Sequence, residues 1–213
     1  ETSDEAPFLP SILAAYVLTM EDSSRLSKES LGSLKRLCRT TVVQVNRRGK
    51  EGCQKPACTK KTNHDLVYSY KKACADAKNR FGRQGNILFL EDDAVIRKDA
   101  KRSEFLEIDG FIRSHPFDVY TLGSIGIVSP FKKAGDRHYR MLIMMLAQST
   151  IWAPSAREKL LRSDPCKISH IDVHFLSRLE RLYKFKRPLV LQLFPVTDNS
   201  KEWCAYCKGG VAG

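Results

Sequence analysis

The sequence predicts an α/β protein with a mixed, mostly parallel central sheet flanked by helices. Two observations predict it: short apolar runs recur along the 213 residues, and segments with helical spacing separate them. Hydrophobic residues make up 42% of the chain, enough to bury the core of one domain over residues 1–213. Because Glu1 stands where an initiator Met would be, we expect a trimmed chain or a domain cut from a longer protein.

The first half of the chain is predicted to alternate strands with helices. The strands are continuous apolar or β-branched runs, and the helices carry apolar residues on one face. Asp22 or Ser23 is expected to cap the first helix. In chain order we predict a strand over Ile12–Leu18, a helix through Leu26, Leu31, Leu34 and Leu37, a strand over Thr40–Val45, a helix that starts at Asn63 or Asp65 and is ended by Gly82 and Gly85, and a strand over Asn86–Leu90.

The second half continues the alternation but contains a longer loop. Pro154 is expected to be the first residue of a helix, because proline fits the first helical position. In chain order we predict a helix over Glu104–Arg113, a strand over Asp118–Leu122, a loop from Gly123 to Gly135, strands over Met141–Leu146 and Thr150–Ala153, a helix over Ser155–Leu161, a helix from Asp172 with Leu176, Leu179 and Leu182, and a strand over Leu189–Phe194.

The formal net charge of the chain is +12, with a denser basic stretch from Arg47 to Lys61. Such a surface suits nucleic acid, anionic lipid or phosphorylated small molecules, or is simply a solvated face. No RNP-type aromatic strand, zinc-finger spacing or basic heptad helix is present, so we do not expect a nucleic-acid partner. No apolar run reaches the roughly 18 residues of a membrane span. We therefore expect no membrane span and a cytoplasmic location, in the host cell if the chain is viral.

The seven cysteines are an odd number, which argues against a closed disulfide framework and suits a reducing compartment. Ordinary thiols are the expectation. The alternative is a structural zinc site formed by Cys53, Cys58, Cys204 and Cys207, although the spacing of the first two is loose for zinc.

An acidic triplet, Glu91-Asp92-Asp93, follows the predicted strand Asn86–Leu90. In α/β sheets ligands bind beyond the carboxyl ends of the strands, which is where the triplet would emerge. Adjacent carboxylates repel one another unless solvent or a cation stabilises them, and Mg²⁺ and Mn²⁺ prefer oxygen ligands. The triplet therefore predicts a divalent-metal site. The alternative is a plain acidic turn in which Asp93 or Asp99 caps a later segment.

The segment Asn86–Val95, which contains the triplet, resembles the signature of the family 25 glycosyltransferases. These enzymes include lipopolysaccharide-type and collagen galactosyltransferases, and similar small domains occur in glycosyltransferases of large DNA viruses. The resemblance runs from about Ile12 to Phe194 through segments that keep the family's order: Tyr68–Cys74, Val119–Gly123, Ser149–Leu161, Ile171-Asp172 and Pro188–Gln192. One departure is Leu18–Asp22 followed by Arg25, where the family has Asn-Leu-Asp and an arginine-rich turn.

This resemblance implies a GT-A type fold and an inverting sugar transfer from a nucleotide-diphosphate sugar, with UDP as the nucleotide. It also implies a Mn²⁺ or Mg²⁺ ion bound by a DxD-like pair, and a hydroxyl of a glycan or glycoprotein as acceptor. The site residues expected on this basis are Asp93, Glu91 and His170 at the metal, Glu91, Asp92, Thr19 and Arg25 at the donor, and Asp172 as the base. Cations expected to assist the leaving diphosphate are residues of the 47–61 stretch or Lys132, Lys133 and Arg137.

Several of these roles have structural alternatives. The acceptor hydroxyl needs a base, and Asp172 is our choice because it opens a predicted helix after a predicted active-site strand. An Asp at that place is equally a favoured N-cap. His170 and His174 flank it as candidate metal ligands or acceptor contacts, and single histidines there are more often structural. Trp152 and Trp203 are candidates for stacking on a sugar ring, with the core as the commoner place for Trp152.

Two other functions are compatible with the sequence. A metal-dependent nucleotidyl- or phosphoryl-transfer enzyme acting on nucleic acid would use the same carboxylates and would explain the charge, but no P-loop or kinase-type motif is present. A non-catalytic basic module that binds nucleic acid would leave the triplet without a role. Both predict binding of nucleic acid rather than of a nucleotide sugar.

Overall fold

The computed structural model describes residues 6–21, 23–47, 55, 57–124 and 126–192, with the backbone alone at 57, 60 and 128–133. The strands of this part are β1 (Ile12–Met20), β2 (Thr41–Asn46), β3 (Asn86–Glu91), β4 (Ala94–Ile96), β5 (Val119–Thr121), β6 (Val128–Lys133), β7 (His138–Met141), β8 (Ser149–Trp152), β9 (Leu182–Phe185) and β10 (Val190–Gln192). The α-helices are α1 (Lys28–Lys35), α2 (Thr62–Phe81), α3 (Arg102–Ser114) and α4 (Pro154–Arg162). Short 3₁₀ turns span Ala57–Lys60, Pro165–Lys167 and Leu176–Arg178, and one π-helical turn spans Ile171–Phe175.

The larger sheet has eight strands in the order β2-β1-β3-β8-β5-β9-β7-β6. Strand β1 pairs in parallel with β2 and β3, and β5 pairs in parallel with β9. Only β8 and β7 run in the opposite direction, so the other six strands of this sheet point the same way. The expected mixed, mostly parallel α/β sheet is confirmed. A small second sheet pairs β4 antiparallel with β10.

Both faces of the sheet are covered, which explains the continuous apolar runs in β1 and β3. Leu88 and Leu90 belong to a core cluster that includes residues of α1 and α3, whereas Ile87 and Phe89 belong to a second cluster that includes residues of α2 and α4. Trp152 lies in the second cluster and is fully buried, so its place is in the core.

Three glycines fix the backbone where elements end or meet. Gly82 and Gly85 have φ values of 77° and 86°, a left-handed region that glycine adopts without strain, and they end α2 as predicted. Gly123 follows β5 and touches β10, because a Cβ atom there would lie 1.9 Å from the carbonyl oxygen of Val190. The end of β5 and the start of β10 are therefore in backbone contact.

The first helix begins later than the sequence suggested. Helix α1 starts at Lys28, and its N-cap is Ser27, whose hydroxyl accepts a hydrogen bond from the Ser30 amide at 3.0 Å. Ser23 is therefore not the cap, and Asp22 lies outside the described residues. The apolar spacing had continued through residues that lie outside the helix, so it did not mark where the helix begins.

The predicted strand Met141–Leu146 is wrong beyond its first residue. Strand β7 ends at Met141, and Leu142 and Met145 are 53% and 42% exposed. Leu146 has a φ of 64°, which no strand residue adopts. The predicted loop from Gly123 to Gly135 in turn contains β6.

The predicted helix through Leu182 is also wrong. The π-helical turn over Ile171–Phe175 passes into a 3₁₀ turn, Leu179 is extended, and Leu182 begins β9. Leu182 pairs with Val119 in the sheet, so long-range strand pairing prevails over local helical spacing.

Cys58 and Cys166 form a disulfide across 108 residues of sequence, joining the turn before α2 to the turn after α4. The expectation of ordinary thiols is wrong for this pair, and so is a zinc site that includes Cys58. An odd number of cysteines still leaves room for a single bridge, and the sequence spacing gave no sign that the two turns meet. Cys53, Cys204 and Cys207 lie outside the described residues. Among the helices of the described part, none is both long and apolar enough to cross a membrane.

Candidate active site

The acidic triplet lies at the carboxyl end of β3, in the middle of the larger sheet. Leu18 of β1 pairs with Glu91 of β3 in parallel register, so the ends of these two strands are side by side. On its other side β3 pairs antiparallel with β8. Because β2 and β3 lie on opposite sides of β1, the strand order reverses between β1 and β3, and this is the type of position where α/β sheets bind ligands.

Asp93 is the most enclosed residue of the triplet, with 1% of its surface exposed. Its Oδ2 accepts hydrogen bonds from Gln192 Nε2 at 2.9 Å and from Arg25 Nη1 at 3.2 Å. Burial raises the pKa of Asp93, against the lowering effect of Gln192 and Arg25. Its Oδ1 is buried and accepts no hydrogen bond from any described residue. A buried carboxylate oxygen without a donor fits a hard divalent cation, so the residues present suit the metal that the sequence predicted.

Asp92 is buried and is held by the two residues that the sequence placed at the donor. Thr19 at the end of β1 donates its hydroxyl to Asp92 Oδ2 at 2.8 Å. Arg25 Nη2 lies 3.4 Å from Asp92 Oδ1, so its guanidinium bridges Asp92 and Asp93. The structure therefore brings Thr19 and Arg25 to the triplet, where they position its carboxylates.

Glu91 is paired with a tyrosine of α2. The Tyr70 hydroxyl lies 3.2 Å from Glu91 Oε1 and 3.1 Å from the carbonyl oxygen of Ala147, and donates to both. Burial, and then the negative charge of Asp93, raise the pKa of Glu91 to about 8, while the Tyr70 hydrogen bond opposes the shift. In the absence of a cation, the ionised triplet is therefore unfavourable.

Asp172 lies in the π-helical turn and accepts two backbone hydrogen bonds. Its Oδ2 accepts from the Leu146 amide at 3.1 Å, and its Oδ1 accepts from the Val173 amide at 2.8 Å. The N-cap of this turn is His170, so the alternative role of Asp172 as the N-cap is wrong. Ala147, the residue after Leu146, accepts a hydrogen bond from the Tyr70 hydroxyl that also contacts Glu91, so hydrogen-bonded neighbours connect Asp172 to the triplet.

His170 is exposed, and none of its described contacts is with the triplet. Its described contacts are a 3.3 Å hydrogen bond with the Ser169 hydroxyl and a ring contact with His174 at 5.6 Å. Within the described residues, no three His, Cys, Asp or Glu side chains form a group that would hold a metal by themselves. A metal at Asp93 would thus need ligand atoms of the substrate, and His170 as its ligand stays a prediction.

The cations expected near the leaving group are only partly described. Arg137 pairs with Glu104 and Glu107, not with the triplet, and the side chains of Lys132 and Lys133 lie outside the description. From the 47–61 stretch, Lys55 Nζ donates to Asp65 Oδ1 and Asn46 Oδ1, both at 2.7 Å. This half-buried cation lies beside the carboxyl end of β2.

Two residues of the site were not among the predicted site residues. Gln192 binds Asp93, and Tyr70 binds Glu91. The sequence predicted only that Gln192 lies in a strand and Tyr70 in a helix. The signal for Gln192 was its place at the end of an apolar strand, where a buried amide needs a polar partner.

No protein-family model matches this chain, and no curated protein matches it in sequence. Solved structures do. A197 from STIV superposes with a TM-score of 0.50 at 14% identity, over 84% of this chain and 83% of that one. The inositol-1-phosphate CTP transferase from T. maritima superposes with a TM-score of 0.50 at 12% identity, over 95% and 99%. A glycosyltransferase involved in the glycosylation of the major capsid of PBCV-1 has a TM-score of 0.48 at 11% identity, over 92% and 99%. At these identities the similarity establishes the fold alone, which this chain shares with a known transferase.

Proposed function

We propose that this protein is a glycosyltransferase that moves a sugar from a nucleotide-diphosphate donor, with UDP as the nucleotide, to a hydroxyl of a glycan or glycoprotein. The proposal rests on one observation above all. The Asp93 carboxylate is buried at a strand end where ligands bind, and one of its oxygens accepts no hydrogen bond from the described residues. An arrangement that disfavours its own charge is typical of a functional site.

The metal of this proposal is Mn²⁺ or Mg²⁺, with Asp93 as the direct ligand and Glu91 as its DxD-like partner. Two carboxylates with the donor's phosphate oxygens are a usual ligand set for such ions. The bound cation would stabilise the negative charge that develops on the diphosphate as the sugar leaves. Arg25 fixes the direction of Asp92 and Asp93, and Tyr70 fixes Glu91, so the site is preorganised by residues of α2 and of the segment before α1.

Asp172 is the proposed base, and it distinguishes sugar transfer to a hydroxyl from transfer to a phosphate. A hydroxyl must lose its proton as it attacks, whereas a phosphate nucleophile is already ionised at neutral pH. A carboxylate connected to the triplet through Leu146, Ala147 and Tyr70 supports the first case. Direct attack on the anomeric carbon from the side opposite the diphosphate would invert that centre.

A nucleotidyltransferase that joins a nucleotide to a sugar or polyol phosphate is the second candidate. The fold similarity to an inositol-1-phosphate CTP transferase over 95% of this chain favours it. Such an enzyme uses a nucleoside triphosphate and releases pyrophosphate, while a glycosyltransferase releases a nucleoside diphosphate. The product therefore separates the two candidates.

The test is a panel of nucleotide sugars and of nucleoside triphosphates with sugar phosphates, each with and without Mn²⁺. We expect one nucleotide sugar to raise the melting temperature in the presence of Mn²⁺ and to release nucleoside diphosphate. Asp93→Asn should abolish both effects, while Asp136→Asn, which removes one exposed carboxylate, should keep them. Pyrophosphate release would establish the second candidate instead. Stabilisation by DNA or RNA alone, with a steep salt dependence, would refute both.

A further inference from the structure

A cavity of about 460 Å³ lies beside the end of β4, away from the acidic triplet. Its apolar wall includes Phe8 and Ile96, and its polar wall includes the cations Arg36, Arg97, Lys98 and Arg102. No acidic side chain is among the described residues that line it. Its volume lies within the range of small-molecule sites, roughly 300 to 1,000 Å³.

Two cations of this cavity form no ion pair with a described residue. Arg97 binds Asp99 through Nε and Nη2 at 2.8 and 2.9 Å, and the Arg36 guanidinium lies 4.8 Å from the centre of the Phe8 ring. Lys98 and Arg102 are exposed and form no ion pair with a described residue. Arg102 is also the first residue of α3, so the positive end of that helix dipole adds to their field.

A neighbouring basic cavity differs from the first in having an acidic residue among its described lining residues. It has about 470 Å³ and is lined by Lys101, Arg137, Lys186 and Arg187 together with Glu104. There the Glu104 carboxylate binds both Arg137 and Arg187. Both cavities lie beside the start of α3, and among their described lining residues only the second cavity has a carboxylate to neutralise its cations.

The first cavity is separate from the proposed active site. The chain runs from Asp93 through β4 to Ile96 and Arg97, and a strand advances about 3.3 Å per residue, which gives a distance on the order of 10 Å. Helix α1 likewise leads from Arg25 at the triplet to Arg36 at the cavity. A ligand in this cavity would therefore not need the triplet or its metal.

We propose that this cavity binds a phosphorylated small molecule with at least two negative charges, through Lys98 and Arg102. Guanidinium groups match the geometry of phosphate oxygens through paired hydrogen bonds, and an ammonium group adds a point charge. The phosphate can belong to a soluble compound or to a lipid headgroup. The site is independent of the proposed glycosyltransferase activity, and either can fail without the other.

The experiment is calorimetric titration with inorganic pyrophosphate in EDTA, which removes divalent ions and leaves the acidic triplet repulsive to anions. We expect binding by the unmodified protein, and at least about tenfold weaker binding by the double variant Lys98→Gln/Arg102→Gln. The control is Arg83→Gln/Lys159→Gln, which removes the same charge from two exposed residues elsewhere and should bind within about twofold of the unmodified protein. Binding should weaken as salt is raised.

A second variant guards against loss of folding in the first. Ser33→Glu places a negative charge on the wall of the cavity and should also weaken binding at least about tenfold, at an unchanged melting temperature. Asp93→Asn should bind pyrophosphate as the unmodified protein does. Vesicles with and without phosphatidylinositol 4-phosphate form a parallel arm, and binding seen only there assigns the phosphate to a lipid. The proposal is overturned by no binding in either arm, by equal weakening in both double variants, or by loss of binding in Asp93→Asn.

Discussion

Carboxyl groups in the acidic triplet and in the basic region around the start of α3 have pKa values shifted in opposite directions. At the triplet, burial and neighbouring carboxylates raise the pKa of Glu91 to about 8 and also raise the pKa of Asp93. Beside α3, hydrogen bonds from Arg97 and Arg187 lower the pKa of Asp99 to about 2. Ionised carboxylates therefore oppose folding in the first region and favour it in the second.

This difference separates the carboxylates proposed to act in chemistry from carboxylates, such as Glu104, that hold the structure together. Asp93 and its neighbours are held in place by Arg25, Thr19 and Gln192 without being fully neutralised. Glu104, in contrast, has two arginine partners and closes the first turn of α3. Substitutions in the two regions should consequently separate activity from stability.

The largest effect is expected for Asp93→Asn. Since its amide can still accept from Gln192 and Arg25, the fold should be kept, and removal of a buried charge should leave the metal-free free energy of unfolding unchanged or higher. The kcat/KM for sugar transfer should fall about 10³-fold, as expected for loss of a group that organises transition-state charge. Steady-state kinetics and urea unfolding in EDTA measure the two quantities. Lower stability with intact turnover would break the comparison.

A slightly smaller loss is expected for Asp172→Asn. Its amide oxygen still accepts from a backbone amide, but the residue no longer takes a proton, so kcat should fall about 10²- to 10³-fold. Mn²⁺-dependent binding of the nucleotide sugar, followed by thermal shift, should be unchanged. Leu146→Gly is the matched control for a purely structural role of Asp172. Glycine adopts the positive φ of residue 146 without strain, so that conformation no longer needs the hydrogen bond to Asp172 to hold it. Unchanged turnover in Asp172→Asn would leave the residue with that structural role alone.

The loss of folding stability in acid should come from His138 and not from the acidic triplet. His138 is buried between Phe111 and Phe185, and burial lowers its pKa to about 4 from the ordinary 6.5. Between these pH values the unfolded chain binds a proton that the folded one does not. The free energy of unfolding should thus fall by up to about 3 kcal/mol as the pH drops from 6.5 to 4, and then level off.

Chemical unfolding at several pH values measures this slope. Groups facing the ring are the Glu107 carboxylate, 3.6 Å from Nε2, the Tyr120 hydroxyl at 2.8 Å from Nδ1, and the cation Arg137. His138→Gln should flatten the dependence, while the exposed His170→Gln should not. An unchanged slope in His138→Gln would assign the acid sensitivity elsewhere.

The smallest effect is expected for Glu104→Gln. Its carboxylate is buried and binds Arg137 and Arg187, and loss of charge-assisted hydrogen bonds of this kind costs about 1 to 3 kcal/mol. Turnover should be unchanged, since the residue does not contact the triplet. The control Glu29→Gln, at an exposed position of α1, should change stability by less than about 0.5 kcal/mol. Reduced activity with unchanged stability would contradict the structural role of Glu104.

The strands that carry the triplet could be predicted because they are buried on both faces. β1 and β3 appear as continuous apolar runs, and such runs are recognisable without knowledge of their partners. The glycines that end α2 could also be recognised, because their effect on the backbone is local. From a strand end and three acidic residues, the position of the candidate site could be predicted.

What failed depended on contacts between distant residues. Leu182 follows helical spacing but joins a strand, and Leu146 ends an apolar run but takes a φ of 64° beside Asp172. The partners of the triplet belong to the same class, because Tyr70 and Gln192 lie 21 and 99 residues from the carboxylates they hold. No local pattern records such pairings, and only packing of the sheet creates them.

The backbone contact between Gly123 and β10 has a consequence for tolerated variation. Since a Cβ atom at Gly123 would overlap the Val190 carbonyl, even Gly123→Ala must displace β10. Two residues further along that strand stands Gln192, whose amide holds Asp93. In a saturation-mutagenesis library, substitutions at Gly123 should therefore be as damaging as those at the proposed catalytic carboxylates. Gly123 would tolerate substitution as poorly as a residue that takes part in the chemistry, although its role depends only on the absence of a side chain.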